Sequence, residues 1–423
     1  MPSIIGFSTR FNVYYGWVIV AATAAILFMA YGVQYSSGIF LSAIEQDLGW
    51  SRSEISLAFT LYAVTYTSMS AVTGRITDRS GPRGVVLIGG ILLAIGMALF
   101  SQAQYQWQVY ICYGIIAGLG MSAAYVPCTT TVLRWFMNRR GTALSLTTMG
   151  SSVGILLIPM VSGILVAHWG WRSGYLILSI ALMIVIFTAS RLLQSNPVTS
   201  DITQHSTSSK NEPQDLALSL SQASKTRNFW FYSSGIILAK SVGIIPFIHL
   251  PSMIIIDQGN TAIQGSLAPS LIGTGALLGV LLSGPISDRI GVVKASVAMV
   301  MIETLAYLGW LTMPSQALPF SFVFGMFYGS SIVLMPAMAG ELFGKANVGS
   351  IFGTIFAGIG IAGALGVFLA GIAYDTLGSY ESVFRIAIIL CVASLILFTM
   401  VRIPNGTQSI ESTPSTSPPG RLG

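Results

Sequence analysis

Few side chains inside the long apolar runs of this chain can bind or carry charge. Lys240 is the one cation deep within such a run. It follows Arg227 by thirteen residues, about 20 Å along a helix at 1.5 Å per residue. That depth argues against simple snorkelling, so its ammonium has to meet a carboxylate, a water or an anionic ligand. His249, nine residues further on, can change protonation near neutral pH. It is a candidate proton carrier, with a residue of an aqueous vestibule as the competing reading. On a straight helix the two would point nearly opposite ways, but Gly243 and Pro246 can bend the helix between them. Tyr31, Gln34, Tyr35 and Gly38 share one helix face by i, i+3, i+4 spacing, and Ser122, Tyr125 and Thr129 share another. Tyr328 is a similar candidate. Tyrosine and glutamine donate hydrogen bonds to a carboxylate without burying a charge. Each alone is equally explained by helix packing; together they favour ligand contact.

The chemistry missing from the chain is as informative. An enzyme needs convergent His, Asp, Glu or Cys groups, and the apolar runs hold too few of them. No phosphate-cradling loop, paired catalytic carboxylates or metal-spaced ligands occur, so no catalytic residue, metal or cofactor is expected. Cys112, Cys128 and Cys391 all fall within apolar runs and read as small core residues.

The elements that position these groups are membrane helices. Hydrophobic residues make up 53% of the 423 positions and charged ones only 8%, with 45 glycines. A soluble domain carries about a quarter charged residues, so lipid must solvate this exterior. A spanning helix needs about 20 apolar residues. Twelve such stretches can be drawn, near 14–40, 54–73, 84–103, 107–132, 141–166, 172–193, 229–256, 265–287, 293–313, 318–340, 349–372 and 381–402. The first lacks a small-residue cleavage site and reads as a retained helix. Of the 20 Lys and Arg, only Arg52, Arg172 and Arg385 fall on the side opposite the N-terminus, and Lys240 lies within a span. By the positive-inside rule both termini are cytoplasmic, in a multi-pass protein of the cell (inner or plasma) membrane. The net charge of +6 is therefore a topology signal and implies no nucleic acid.

A charged phrase occurs twice. Gly74-Arg75-Ile76-Thr77-Asp78-Arg79-Ser80-Gly81-Pro82-Arg83 returns as Gly284-Pro285-Ile286-Ser287-Asp288-Arg289-Ile290-Gly291, each copy between two apolar runs. The same offset links Asp47-Leu48-Gly49 with Asp257-Gln258-Gly259, Pro127 with Pro336, and Gly141 and Gly150 with Gly349 and Gly358. Six spans precede a polar stretch, so the halves are parallel repeats. The organisation expected is an N-terminal six-helix bundle over 1–194, a cytoplasmic linker over 195–227, a C-terminal bundle over 228–403 and a disordered cytoplasmic tail over 404–423. Within the linker, Leu216 to Lys225 suits a short surface helix.

The repeated phrase, the twelve spans and the central linker together resemble the major facilitator superfamily over about residues 14–403. Among its branches the chain most resembles the monocarboxylate porter and oxalate–formate antiporter group. That likeness rests on Tyr14-Tyr15-Gly16-Trp17, Gly32-Val33-Gln34-Tyr35-Ser36, Arg134-Trp135-Phe136 with Arg139-Arg140-Gly141, Trp169-Gly170-Trp171-Arg172, and His249-Leu250. The resemblance implies an all-α fold of two bundles around a central cavity lined mainly by spans 1, 4, 7 and 10, opened alternately to either side. It puts Tyr125 at a cavity tyrosine position. It implies that Asp78 sits near the N-terminus of the eleventh helix and Asp288 near that of the fifth, where carboxylates are favoured. Arg75, Arg79 and Arg289 would add ion pairs between the bundles, and these five residues form the gating set. Glu341 ranks above Glu303 for coupling, because its helix borders the cavity.

The resemblance also brings departures. The eighth span, Gly275-Ala276-Leu277-Leu278-Gly279-Val280-Leu281-Leu282-Ser283, lacks the arginine that such transporters often carry, and the eleventh lacks a lysine. Lys240 is available to replace that charge, unless the substrate is not a simple monocarboxylate; a two-carboxylate substrate such as oxalate is disfavoured. The expected function is secondary transport of a small organic anion, a monocarboxylate first, by proton symport or anion exchange, in a monomer. The alternative is proton-coupled export of a drug or metabolite. Against it, Gly141, Gly150 and Gly154 are followed by Ile155, and the proline comes only at Pro159, whereas drug antiporters place it directly after the third glycine. A nutrient sensor that no longer transports is the third reading.

Overall fold

The repeated phrase has a direct structural expression. Gly81 (φ 81°) and Gly291 (φ 88°) occupy equivalent places in the two copies, and both take a backbone conformation that side chains resist. Each turns the chain sharply from one long helix into the next. A computed structural model describes residues 14–50, 52–136, 139–195, 218–254, 262–377 and 380–403. The tail, most of the linker and Asp257-Gln258-Gly259 lie outside the described residues.

Among those residues, ten helices are long and apolar enough to cross a membrane. One of the ten runs Arg140–Leu192 and is broken at Gly170 (φ 74°, ψ 169°), so it makes two crossings, α5 and α6. Arg52–Ser80 (α2) is a further long helix, whose charged ends dilute its hydropathy. The result is the twelve-helix pattern read from the sequence. The others are α1 (Tyr15–Tyr35, prolonged by Ser37–Leu48), α3 (Pro82–Phe100), α7 (Arg227–Val242 and Ile245–Ser252) and α8 (Ala262–Ile290). They are completed by α9 (Val292–Thr312), α10 (Ala317–Phe343), α11 (Val348–Leu377) and α12 (Glu381–Met400).

The fourth crossing, α4, is the least regular. It begins as Gln106–Val109, widens into a π-helix over Tyr110–Ala117, returns to α-helix at Gly118–Met121, breaks, and resumes as Tyr125–Trp135. A break in a membrane helix frees backbone groups that lipid cannot satisfy. Here the Thr73 hydroxyl donates to the Ser122 carbonyl at 2.7 Å. The break in α7 is handled alike. Pro246 has no N–H for the carbonyl four residues earlier, and the Tyr307 hydroxyl donates to that carbonyl, Val242, at 2.7 Å.

Helices α1–α6 pack among themselves, as do α7–α12, and two main seams join the sets: α2 against α11 and α5 against α8. The repeat relates these seams to each other. At both, glycine lets backbones cross. A Cβ on Gly74 would strike the Gly349 carbonyl, and one on Gly284 the Gly141 carbonyl. The described part of the linker holds one helical turn, Leu220–Ala223, shorter than the helix expected there. It is tied to the second bundle by hydrogen bonds between Leu218 and Phe343 and between Asn347 and Leu218.

Candidate functional site

The two aspartates of the repeated phrase each reach across a seam. The Asp78 carboxylate accepts from the backbone N–H groups of Gly349 (3.0 Å) and Ser350 (2.5 Å) and from the Ser350 hydroxyl (2.5 Å). It thus caps the start of α11. Asp288 caps the start of α5, accepting from the N–H groups of Gly141 (2.8 Å) and Thr142 (2.9 Å) and from the Thr142 hydroxyl (2.6 Å). Each carboxylate meets unpaired donors at the positive end of a helix dipole. The two locks are not equal. Arg134, at the end of α4, pairs with Asp78 at 2.5 Å, with both side chains almost fully buried. The same guanidinium donates across the seam to the carbonyls of Lys345 and Ala346. Asp288 is exposed.

Arg75, Arg79 and Arg289 are exposed, and among the described residues no ion pair joins them to the opposite bundle. The cation at this closed end is Arg134, which the sequence reading counted for topology and not for gating. Its signal was available: it ends a helix that also carries Tyr125, on the same side of the membrane as Asp78. Glu341 lies at this end as well, within electrostatic reach of Arg140 and Asp288.

Midway along the helices the first-span and fourth-span candidates converge. The Tyr31 and Tyr66 hydroxyls are 2.7 Å apart, and the Tyr31 ring meets Tyr125 edge-on at 6.2 Å. Tyr125 also packs on Phe352 (5.9 Å) and Phe356 (5.1 Å) of α11, while its hydroxyl donates to the Ile332 carbonyl of α10 at 2.5 Å. Tyr35, 47% exposed, stacks on Tyr31, and its hydroxyl lies near that of Tyr328 of the other bundle. The half-buried Gln34 has a carbonyl oxygen without a protein partner. Tyr66 was missed from the sequence although the signal was there: Tyr62, Tyr66, Ser70, Thr73 and Thr77 recur at i+3 and i+4 spacing along one face of α2.

Lys240 approaches the cluster from α7. Only 6% exposed, its ammonium donates to the Ser331 hydroxyl and lies over the rings of Tyr328 (4.5 Å) and Phe327 (4.8 Å). Desolvated cation–π contacts of this kind contribute about 2 kcal/mol or more, but they supply no counter-charge. Tyr328 therefore faces both halves of the site: it lies near Tyr35 on one side and covers Lys240 on the other. Ser331, one turn beyond Tyr328, is visible as its i+3 neighbour only once Lys240 is known to face α10. His249 stands away from this group, with Nδ1 3.1 Å from the Tyr380 hydroxyl and Nε2 buried without a partner.

The family model described as Major Facilitator Superfamily matches residues 23–320 and 264–421, and the chain belongs to that superfamily. It is similar to monocarboxylate transporter 11 of Mus musculus, 26% identical over 384 residues that cover 88% of this chain and 84% of that protein. Monocarboxylate transporter 12 of Xenopus laevis is 23% identical, with 92% and 89% covered. Among solved structures, the fucose:proton symporter FucP of E. coli superposes with a TM-score of 0.74, covering 92% of this chain and all of that one. At 13% identity that likeness concerns the fold.

Proposed function

We propose that this protein is a secondary active transporter of a small organic anion, a monocarboxylate, working by alternating access. The observation that carries the reading is Lys240, a buried cation held by one hydroxyl and two aromatic faces, next to a cluster of tyrosine hydroxyls. A carboxylate entering there gains the charge that Ser331 cannot supply and hydrogen bonds from phenols that need no counter-ion. The similarity to relatives named monocarboxylate transporters supports the same class. The bundles are residues 1–194 and 228–403, with the linker 195–227 and the tail 404–423 cytoplasmic. On that topology the Asp78 and Asp288 locks close the cytoplasmic end, and the conformation faces outward. The working unit is a monomer in the cell membrane, coupled to protons or to a counter-anion.

The test is uptake of a labelled panel of acids into proteoliposomes holding the purified protein: acetate, lactate, pyruvate, oxalate and a neutral amide as control. Saturable uptake of monocarboxylates, weakened in Lys240→Ala, is the expected result. Uptake confined to apolar cationic compounds would replace this reading by drug export, and absence of all uptake by a sensor.

A further inference from the structure

Beneath the tyrosine cluster lies a second charged group that the site has not used. Glu303, on α9, is 0% exposed, and neither carboxylate oxygen has a hydrogen-bond partner. A solitary ionised carboxylate in an apolar interior is so costly that such groups pair or take up a proton. The groups facing Glu303 are few. Lys240 of α7 lies close enough to feel its charge, yet the two form no ion pair. Cys391 of α12 lies beside it, and Tyr307, one turn along α9, has its hydroxyl committed to Val242. From α10 come Ser331 and Tyr328, already engaged with Lys240. The titratable residues at the end of α8, Asp288 and Arg289, are about 20 Å away along α9. A largely apolar cavity of about 20 Å³, bordered by Ser331 and by Met299 and Val300 one turn before Glu303, lies near this group, and Glu303 itself does not line it.

We propose that Glu303 is the proton-binding site of this transporter and that Lys240 is shared between it and the anionic substrate. The inference rests on the anion-binding reading of Lys240. With the site empty, the ammonium offsets the Glu303 carboxylate and the cluster is neutral. An arriving carboxylate accepts from the Lys240 ammonium, which keeps its own proton. Glu303 then loses its counter-charge and takes one proton from water. The loaded cluster holds ammonium, substrate anion and neutral acid, and is again neutral. One proton accompanies one anion, and release reverses both. Glu303 thereby displaces Glu341, which faces the lock at the cytoplasmic end, as the carboxylate that couples.

The deciding measurement is an infrared pH titration of the protein in lipid vesicles, which needs no substrate. Over about pH 5–9, the wild type should show a protonated-carboxyl band that fades as pH rises. That band should be missing in Glu303→Gln and should persist to higher pH in Lys240→Met, where the counter-charge is gone. A band unchanged in Glu303→Gln would overturn the proposal. Transport reads the second half: in Glu303→Gln, acid uptake should lose its response to an imposed pH gradient while exchange of internal for external acid survives. Uptake in that variant that still follows the gradient would also overturn it. If the wild type transports none of the acids, the monocarboxylate reading fails by itself, and the infrared titration still decides Glu303.

Discussion

The Tyr125 hydroxyl donates at 2.5 Å to the Ile332 carbonyl, the acceptor that Pro336 leaves unpaired one turn further along α10. A proline in one bundle thus creates the docking point for a phenol in the other. The bond lies at mid-membrane, between the aspartate locks and the Lys240 site.

Removing that donor should favour separation of the bundles. In Tyr125→Phe the carbonyl is left unpaired only while the bundles are closed, at a cost of about 1–3 kcal/mol. Spin-label distances across the Asp78 end should shift toward the open population by roughly tenfold. An unchanged distance distribution would show that the bond does not contribute to closure.

The two locks should respond unequally. Asp78→Asn leaves Arg134 buried without its counter-charge, whereas Asp288→Asn weakens an exposed cap. Loss of one charge-assisted hydrogen bond is worth about 1.5–3 kcal/mol, so net uptake should fall by about tenfold or more in the first. In the second the drop should be only a few-fold, with substrate affinity nearly constant in both. Equal rates in the two variants and the wild type, measured in the same vesicles, would remove these carboxylates from gating.

Lys240→Ala should weaken binding of a transported acid by about a hundredfold, the equivalent of about 2.8 kcal/mol at 1.4 kcal/mol per decade. Lys240→Arg should retain part of the affinity, because it keeps the charge but not the fit over Tyr328. Calorimetric titration of well-folded protein checks both, and an unchanged affinity in the alanine variant would exclude Lys240 as the anion site.

His249→Gln should leave the pH dependence of uptake intact. Its ring is tied to Tyr380 near the far end of α7, away from the Lys240 group. A flattened pH profile in this variant would transfer the proton role from Glu303 to His249.

Most of the frame is readable before any coordinates. The repeated phrase singled out both aspartates, and the resemblance to the major facilitator superfamily placed them at helix N-termini. Gly243 and Pro246 signalled the break in α7, since each disrupts helix geometry by a known route. The break in α4 carried the same sign, since Pro127 has no N–H for the Ala123 carbonyl and the helix breaks over Ser122 to Ala124. For Arg134 the sequence shows its place at the end of the helix that carries Tyr125, but not its acceptors, which belong to Lys345 and Ala346, more than two hundred positions away. The loneliness of Glu303 is also a property of packing: a sequence shows that a carboxylate is present, and not that its neighbours decline to bond it.

Two of the carbonyls freed by proline, those of Val242 and Ile332, have different fates once the bundles move. Val242 is served by Tyr307 from its own bundle, so the bend in α7 travels as a fixed part of a rigid body. Ile332 is served by the opposite bundle and loses its donor whenever the halves separate. Lipid offers no replacement, so a water molecule must hydrate that oxygen on every turnover. Opening therefore draws solvent to mid-membrane, and the opening rate should fall under osmotic stress in the wild type more than in Pro336→Ala, whose helix bonds the carbonyl internally.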